Sequence, residues 1–417
     1  MPAGSDAGAA DLLEVHEARR RVLDAIRPVG PAVCVGLREA LGRVLAVPVV
    51  AGVSVPPHRC SSMDGYAVRS ADLPADGLEV ELIVAGRSAA GAPHAGVVAP
   101  GACVRILTGA VVPEGADAVV IQEEVRPAGP DRIRARGPAA PGAYVRLPGS
   151  DVAAGDTVAE PGHRLGPAHL GLLASIGIGE VKVHRRPRVA CFSTGDELRG
   201  IGEPLAPGQI HDSNRYTLHG LVTRAGAEVL DLGVVPDRVD AVRAAVAHAA
   251  AHADAVVTTG GVSVGDTDHV KAVVEDLGRV DFWRIAMKPG KPLAVGRVGE
   301  AMFFGLPGNP VSAAVTASVF VVPALRRLGG ERSVDPVVTR ARLTAPVRKQ
   351  PGRLEYQRGV LSAAADGALT VTPMTGQDSH LLAALARADC LIVLPLDCGD
   401  VAAGAWVAVQ PFCGLWG

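Results

Sequence analysis

The sequence predicts a multidomain α/β protein whose central α/β domain contains a parallel-type sheet. An N-terminal helical and β-rich region precedes that domain, and a small C-terminal β-barrel follows it. Three observations support this fold class. The 417 residues exceed one ordinary core and favour about two to four domains. Apolar strands alternate with helical stripes after Arg188, and short alternating runs separated by Gly and Pro lie on either side.

The domain boundaries follow from these changes in hydrophobic pattern and in Gly and Pro content. Residues 11–27 form an amphipathic helical stripe, and a second stripe from about Leu37 to Val47 predicts another helix. We therefore divide the chain into four domains. A discontinuous N-terminal helical and linker domain covers residues 1–52 and 146–185, and an inserted β-rich domain covers residues 53–145. The α/β domain covers residues 186–330, and the C-terminal barrel covers residues 331–417.

Within the α/β domain, each buried apolar run is followed by a helical stripe, which predicts parallel strands joined by crossover helices. The predicted strands cover residues 189–193, 229–235, 255–259 and 301–305. The predicted helices cover residues 212–225, 237–253, 267–277 and 309–328, the last with a kink at Pro323.

Composition excludes several classes of partner. Aromatic residues make up only 3% of the chain, which leaves few platforms for base stacking. The 41 basic and 43 acidic residues leave a formal charge of −2, so no broad field attracts nucleic acid or an anionic membrane. Seven cysteines without a C-x-x-C pair fit a reduced interior, and we see no export signal or membrane-spanning run. We expect a soluble, cytoplasmic protein.

Three loops rich in glycine and proline lie between Asp254 and Ser312 and predict an anion-binding site. The first contains Gly260, Gly261, Ser263 and Asp268 after an apolar strand. The second is the Lys-Pro-Gly-Lys stretch of Lys288 and Lys291, whose two ammonium groups suit an oxyanion. The third places Asn309 as a helix cap and Pro310 in the first turn, and it consists of Pro307, Gly308, Asn309 and Pro310, followed by Ser312.

Four further clusters have ordinary explanations when each is taken alone. The Asp-Gly pair of Ser61–Ala67 is typical of a hairpin turn, and Thr108 in Arg105–Asp117 is typical of a self-satisfied loop. Phe192–Glu197 places two carboxylates at the end of a strand. The arginines of Gly352–Arg358, together with Gly376–His380, are typical of surface ion pairs unless they converge on a ligand.

Together, and in this order, the motifs resemble those of the molybdopterin molybdenumtransferase family, the MoeA proteins and the gephyrin E domain. The similarity extends from about residue 11 to residue 412. It includes the sequences Ser-Met-Asp-Gly-Tyr-Ala, Thr-Gly-Ala, Ser-Thr-Gly-Asp-Glu-Leu, Gly-Gly-Val-Ser-Val-Gly-Asp, Lys-Pro-Gly-Lys-Pro and Leu-Pro-Gly-Asn-Pro-Val-Ser.

The resemblance implies insertion of molybdate into adenylyl-molybdopterin, with release of AMP and formation of molybdenum cofactor. It also implies Mg²⁺ beside the pyrophosphate, a homodimer, and transient contacts with the adenylyltransferase and with molybdoenzymes. The carried-over catalytic residues are Asp64, Thr108, Glu197, Asp237 and Asp268, of which the last three are also the implied metal ligands. The implied substrate-binding residues are Arg146, Asp151, Gly260, Gly261, Ser263, Pro307, Gly308, Asn309 and Pro310, and the implied molybdate pocket is Lys288, Lys291, Ser312, Arg353 and Ser379.

Two departures from the family pattern and two alternatives remain open. Gly265-Asp-Thr-Asp-His269 stands where the family often has Gly-Glu-Ala-Asp-Tyr, and Arg284 stands where it often has lysine. One alternative is a molybdopterin adenylyltransferase, which leaves residues 1–185 and 331–417 unexplained. The other is a non-catalytic gephyrin-like scaffold, which does not need the carboxylates and lysines.

Overall fold

A computed structural model of the chain describes residues 12–261 and 269–412. Its central sheet has six strands, four of them parallel and two forming an antiparallel hairpin at one edge. In spatial order the strands are Glu228–Val235, Arg188–Thr194, Ala255–Thr259, Ala301–Leu306, Pro292–Val298 and Gly278–Arg284. The predicted parallel strands are confirmed, but the sheet as a whole is mixed. The hairpin was not predicted because charged and glycine residues interrupt its apolar pattern.

Helices cover both faces of this sheet, as expected for crossover connections. Asn214–Arg224 packs on one face, and Val239–His252 with His269–Leu277 packs on the other. The predicted helix at 309–328 is an α-helix over Pro310–Thr316, a π-helix over Ala317–Val321 and an α-helix over Val322–Leu328. The irregular turn directly precedes Pro323, whose missing N–H cannot continue the regular ladder.

The helical stretch Pro310–Leu328 is the centre of the larger core. Within the described part of the chain it is the one helix long and apolar enough to cross a membrane, yet 89% of its most apolar stretch is buried inside the protein. The helix Val15–Asp24, the first within the described residues, packs its buried face against this core. That helix therefore shares the hydrophobic core of the α/β domain rather than the core expected for residues 1–52.

The predicted helix at Leu37–Val47 is wrong. A strand covers Ala32–Gly36, and only the single 3-10 turn Leu37–Ala40 follows. Gly42 has φ +72°, a left-handed conformation that ends the turn, and Leu45 then forms backbone bonds to distant segments. Tertiary pairing with residues 163–183 thus overrides the local helical pattern.

Residues 32–52 and 146–185 nevertheless share one small core, which includes Leu45, Ala51, Val152 and Leu165. Short antiparallel pairs and one helix build this unit, so it is less helical than expected. The pairs are Ala32–Gly36 with Glu180–His184 and Val49–Val50 with Thr157–Ala159, and the helix is Pro167–Ser175.

The inserted region 53–145 is a six-stranded mixed sheet. Its strands in spatial order are Ala118–Ile121, Gly65–Val68, Ala102–Ile106, Glu79–Ser88, Arg132–Arg136 and Val125–Gly129, with 3-10 turns at Ser70–Asp72 and Gln122–Glu124. A further pair, Cys60–Ser61 with Val145–Arg146, closes the region where the chain enters and leaves it.

The C-terminal region is a closed five-stranded β-barrel, which confirms the prediction. Its strands in order are Leu354–Ala363, Leu369–Pro373, Thr339–Leu343, Trp406–Pro411 and Cys390–Leu394, and the last pairs again with the first. A short helix, Leu382–Arg387, lies beside it. Met287–Lys288 joins its edge in parallel with Leu354 and Glu355, so the barrel holds one end of the Lys-Pro-Gly-Lys loop.

Candidate functional site

Three loops lie close together at the carboxyl ends of the parallel strands Arg188–Thr194, Ala255–Thr259 and Ala301–Leu306. Ser193 and Thr259 hydroxyls lie 3.1 Å apart on neighbouring strands, in a buried contact. The amide N–H of Gly260 donates to the carbonyl oxygen of Leu306 at 3.2 Å, which joins the Gly260 loop to the Pro307–Pro310 loop. The side-chain amide of Asn214 donates to the carbonyl oxygen of Gly308 at 2.7 Å. Gly260, Gly261 and Pro307–Pro310 are therefore brought together, whereas Ser263 and Asp268 lie outside the described residues.

Gly260 and Gly261 allow these loops to approach closely. Gly260 has φ +83°, and a Cβ atom there would lie 2.4 Å from the carbonyl oxygen of Thr194. Gly261 has φ +64°, and its added Cβ would lie 2.5 Å from a methyl group of Val270. Both positions need glycine for conformation and for space.

We expect Gly260→Ala to lower the free energy of unfolding by about 1–3 kcal/mol, because it combines a left-handed backbone with a clash against the main chain. Gly299→Ala is the matched control, since Gly299 has φ +57° in the same sheet but no heavy atom within 4 Å of its added Cβ. Urea unfolding of both variants measures the difference. Equal losses would show that the close approach of the two loops contributes nothing.

Asn309 precedes the helix in extended conformation, but its side chain makes no cap hydrogen bond, so the predicted side-chain cap is wrong. The amide of Val311, in the first turn, instead donates to the carbonyl oxygen of Ser379 at 2.9 Å. Ser312, the residue that follows Val311, is buried. The helix start therefore brings Ser312 and Ser379, which are distant in the sequence, to one place.

Lys288 and Lys291 differ in their surroundings. The Nζ atom of Lys288 lies 3.1 Å from Oε1 of the buried Glu355, which also accepts a hydrogen bond from Gln357 at 3.0 Å. Lys291 is half-buried, and its side chain makes no hydrogen bond or ion pair with any described residue. The ammonium of Lys291 is thus the less compensated of the two charges, while Glu355 fixes the position of Lys288.

Thr316, on the core helix Pro310–Thr316, packs against the Lys-Pro-Gly-Lys loop at Gly290. Gly290 has φ +100°, and a Cβ atom there would lie 2.2 Å from the hydroxyl oxygen of Thr316. That hydroxyl is buried without a partner among the described residues. The loop is therefore seated on the core helix as well as on the barrel.

Arg353 stands directly before the barrel strand that carries Glu355, beside the strand of Lys288. Its half-buried side chain has no hydrogen-bond partner among residues 12–261 and 269–412. The backbone thus places Arg353 near the Lys288 loop. Arg284 is exposed at the end of the edge strand Gly278–Arg284, and His269 begins the helix His269–Leu277.

Arg358 was not predicted as a site residue, although it closes the Gly352–Arg358 motif. Its side chain is only 1% exposed, and its Nη2 donates to the carbonyl oxygens of Gly376 and Asp378 at 2.9 and 3.2 Å. Burial lowers the pKa of this guanidinium. Gln377 completes the link by accepting from the Arg358 amide at 2.9 Å. Arg358 thereby positions the loop that carries Ser379.

We expect Arg358→Ala to lower the free energy of unfolding by about 2–4 kcal/mol, because two carbonyl groups lose a charged donor and a cavity forms. Denaturant unfolding measures this loss. Arg348→Ala is the control, since Arg348 lies in the same region without a side-chain hydrogen bond to a described residue. A loss no greater than that of the control would contradict the positioning role.

The predicted acidic residues Glu197 and Asp237 lie after two neighbouring strands of the central sheet. Glu197 is exposed after the strand Arg188–Thr194, and Asp237 follows the neighbouring strand Glu228–Val235. One carboxylate oxygen of Asp237 is buried without a hydrogen-bond partner in the described part of the chain. Between these two strand ends lies a cleft of about 570 Å³, lined by Gly195, Asp196, Leu198, Arg199, Gly200, Glu203, Arg215, Val234 and Pro236. Residues 12–261 and 269–412 contain no group of three potential metal ligands.

Arg215 in this cleft was also missed. Its guanidinium contacts Asp231 at 2.7 and 2.8 Å and Asp212 at 3.2 Å, where Asp212 is almost fully buried. No sequence motif pointed to this network, because its three members are spread over 20 residues around the helix Asn214–Arg224.

Asp64 and Thr108, which the family resemblance assigns to one site, are in contact in the β-rich domain. The amide and the hydroxyl of Thr108 both donate to the same carboxylate oxygen of Asp64, each at 2.7 Å. These hydrogen bonds, with the charge of Arg105, hold the pKa of the Asp64 carboxyl below its usual range. Asp64 is therefore ionised at neutral pH and remains partly accessible to solvent.

Among residues 12–261 and 269–412, no hydrogen bond joins the β-rich domain that carries Asp64 to the loops of the central sheet. The hydrogen bonds that residues 53–145 make in the described part of the chain go to residues 54–154. Arg146 pairs with Cys60 in a short strand, and the amide of Asp151 donates to the carbonyl oxygen of Val55, so both lie where the β-rich domain joins the small N-terminal unit. The predicted site therefore consists of two halves. One half is Asp64 with Thr108 in the β-rich domain, and the other is formed by the loops of the central sheet around Gly260 and Gly308.

Comparison with known proteins identifies the class of protein. Residues 13–177 match the MoeA N-terminal region, domains I and II, residues 190–327 match a probable molybdopterin binding domain, and residues 340–412 match the MoeA C-terminal region, domain IV. The fold and these matches define a protein of molybdopterin metabolism. A molybdopterin molybdenumtransferase of Haemophilus influenzae is 42% identical over 97% of this chain and 100% of its own length.

The chain belongs to the MoeA family. Molybdopterin molybdenumtransferase 2 of Mycobacterium tuberculosis is 39% identical, over 95% of this chain and 98% of its own length. The crystal structure of the molybdopterin biosynthesis MoeA protein of Pyrococcus horikoshii superposes with a TM-score of 0.84 at 29% identity, covering 96% of this chain and 100% of that one.

Proposed function

We propose that the chain is a molybdopterin molybdenumtransferase, which inserts molybdate into adenylyl-molybdopterin and releases AMP to give molybdenum cofactor. Two contacts support this proposal most directly. The Lys-Pro-Gly-Lys loop pairs with the barrel, and the first turn of the helix that begins at Pro310 is hydrogen-bonded to Ser379. Both contacts occur around the α/β domain that matches a molybdopterin binding family.

The molybdate pocket is assigned to Lys288, Lys291, Ser312, Arg353 and Ser379. A tetrahedral dianion spreads its charge over four oxygens and favours several charged donors held on separate segments. The ammonium of Lys291 and the guanidinium of Arg353, neither of which has a partner among the described residues, fit that requirement. Lys288 would contribute less charge, because Glu355 lies 3.1 Å away.

We assign Mg²⁺ to the strand ends beside the cleft, with Glu197, Asp237 and Asp268 as its ligands. The residues described fit such an ion in one respect, since Asp237 has a buried carboxylate oxygen without a hydrogen-bond donor. When bound, the ion would neutralise charge on the pyrophosphate. The chain's own part is to hold that anion on the amides of the Gly260 and Gly308 loops.

We also propose that a homodimer completes the site, with Asp64 and Thr108 of one subunit facing the central sheet of the other. The separation of the two halves within one chain supports this. The protein would act in the cytoplasm, receive adenylyl-molybdopterin from the adenylyltransferase and pass its product to molybdoenzymes.

Incubation with adenylyl-molybdopterin, Mg²⁺ and molybdate tests the proposal. We expect AMP release that depends on molybdate, together with cofactor that reconstitutes an apo-molybdoenzyme. Release of pyrophosphate from ATP and molybdopterin would instead indicate an adenylyltransferase. Binding of the substrate without any turnover would indicate the scaffold.

A further inference from the structure

A basic cavity lies at the edge of the central sheet opposite to the loops of the proposed site. Its volume is about 320 Å³, within the range of small-ligand pockets. Arg188 and Glu228 are the first residues of two adjacent parallel strands and pair with each other in register. The cavity is lined by Val33, Arg43, Arg185, Arg186, Arg188 and Glu228.

The arginines of this cavity are only partly compensated. Arg185 forms a double ion pair with Asp254 at 2.6 and 2.7 Å, so its charge is satisfied. Arg43 donates to the carbonyl oxygen of His184 at 3.0 Å, which is a neutral partner. The exposed side chain of Arg186 makes no hydrogen bond or ion pair with a described residue. Glu228 is the single acidic lining residue.

Arg43 and Arg186 also repel one another. Burial, and next the positive charge of Arg186, lower the pKa of the Arg43 guanidinium, and the smaller opposing effects of Glu228 and Glu39 do not cancel them. Two like charges held close together are unfavourable, and one carboxylate, Glu228, is too little to compensate the four arginines that line this cavity. Guanidinium groups are the side chains best suited to a phosphate, because each presents two parallel N–H donors.

We propose that this cavity binds a polyvalent phosphate anion, either inorganic pyrophosphate or the 5′-phosphate of a nucleotide. Arg43 and Val33 come from the small N-terminal unit, whereas Arg188 and Glu228 belong to the central sheet. The bound anion therefore braces these two units against each other. This site is separate from the proposed reaction and does not depend on it.

Thermal unfolding in the presence of anions tests the proposal. Because a ligand that binds only the folded state stabilises it, pyrophosphate at millimolar concentration is expected to raise Tm by about 2–4 °C. AMP is the second ligand, and sodium chloride at equal ionic strength corrects for general screening. Whichever of pyrophosphate and AMP gives the larger shift identifies the source of the phosphate.

Arg186→Gln is the main variant, since its exposed side chain has no structural partner among the described residues, and Arg43→Gln is the second. Both should reduce the shift to the part that the Gly260 and Gly308 loops of the proposed site contribute. Arg38→Gln, an exposed arginine outside the cavity, should keep it. The double variant Lys288→Ala with Lys291→Ala should also keep it, which separates this cavity from the proposed molybdate pocket. A full shift in Arg186→Gln, a shift lost in the lysine variant, or an equal shift with chloride would overturn the proposal.

Discussion

Asp64→Asn is expected to reduce molybdate-dependent AMP release by on the order of 100-fold or more, while the fold and substrate binding persist. Asparagine keeps a side-chain oxygen that can accept the two hydrogen bonds from Thr108, each 2.7 Å long. The variant therefore removes the negative charge and little else. Hydrogen bonds that lower the pKa of Asp64 keep that charge in place at neutral pH, so its loss is the variable tested.

Asp76→Asn is the matched control, because Asp76 lies in the same β-rich domain and its Oδ1 accepts a backbone hydrogen bond from Leu78 at 3.2 Å. Thermal stability, adenylyl-molybdopterin binding and AMP release would be measured on both proteins. Wild-type release by Asp64→Asn would return Asp64 to the role of a turn residue. A loss of stability without the same loss in the control would point to folding rather than chemistry.

The same variant tests whether two subunits build one site. In an isologous dimer, mixing Asp64→Asn with Lys291→Ala creates heterodimers with one intact site. At a molybdate concentration too low for Lys291→Ala to turn over appreciably, random exchange restores about a quarter of the wild-type rate. Sites built within a single chain would show no such recovery. Light scattering on each variant confirms that both still form the same assembly.

How much of the fold the sequence predicts depends on where local pattern and tertiary pairing agree. Helices such as Asn214–Arg224 and Val239–His252 fall close to their predicted bounds because their apolar stripes face one packed sheet. Leu37–Val47 has a similar stripe, yet its residues pair with segments more than 100 positions away. Such long-range pairing leaves no local trace. The edge hairpin was missed for a different reason, because charged and glycine residues interrupt the apolar pattern of its two strands.

The candidate site shows a comparable division. Motifs predicted which loops meet, and the structure brings Asp64 to Thr108 and Gly260 to Leu306. Motifs did not reveal the groups that hold these loops, such as Glu355 beneath Lys288 or Arg358 beneath Ser379. A buried charge is expensive unless it is paired, so Glu355 and Arg358 can be recognised only once burial and partners are known.

Lys291→Ala is expected to raise the molybdate concentration needed for half-maximal activity by about tenfold or more. Loss of one charged hydrogen bond to a dianion costs about 1.5–3 kcal/mol, and about 1.4 kcal/mol corresponds to each tenfold change. Lys291 is preferred to Lys288 because no described acidic group shares its charge, whereas Lys288 is paired with Glu355 at 3.1 Å.

Lys182→Ala, which removes an exposed lysine from the N-terminal unit, is the control for a change in net charge. The rate of AMP release would be titrated with molybdate at saturating adenylyl-molybdopterin. A shift in the molybdate requirement at unchanged substrate affinity assigns Lys291 to the oxyanion. If substrate affinity falls instead and the molybdate requirement stays constant, the ammonium acts on the phosphate groups of adenylyl-molybdopterin. The molybdate pocket would then rest on Arg353 and the two serines, because only Arg353 would remain as an unpaired cation among the proposed ligands.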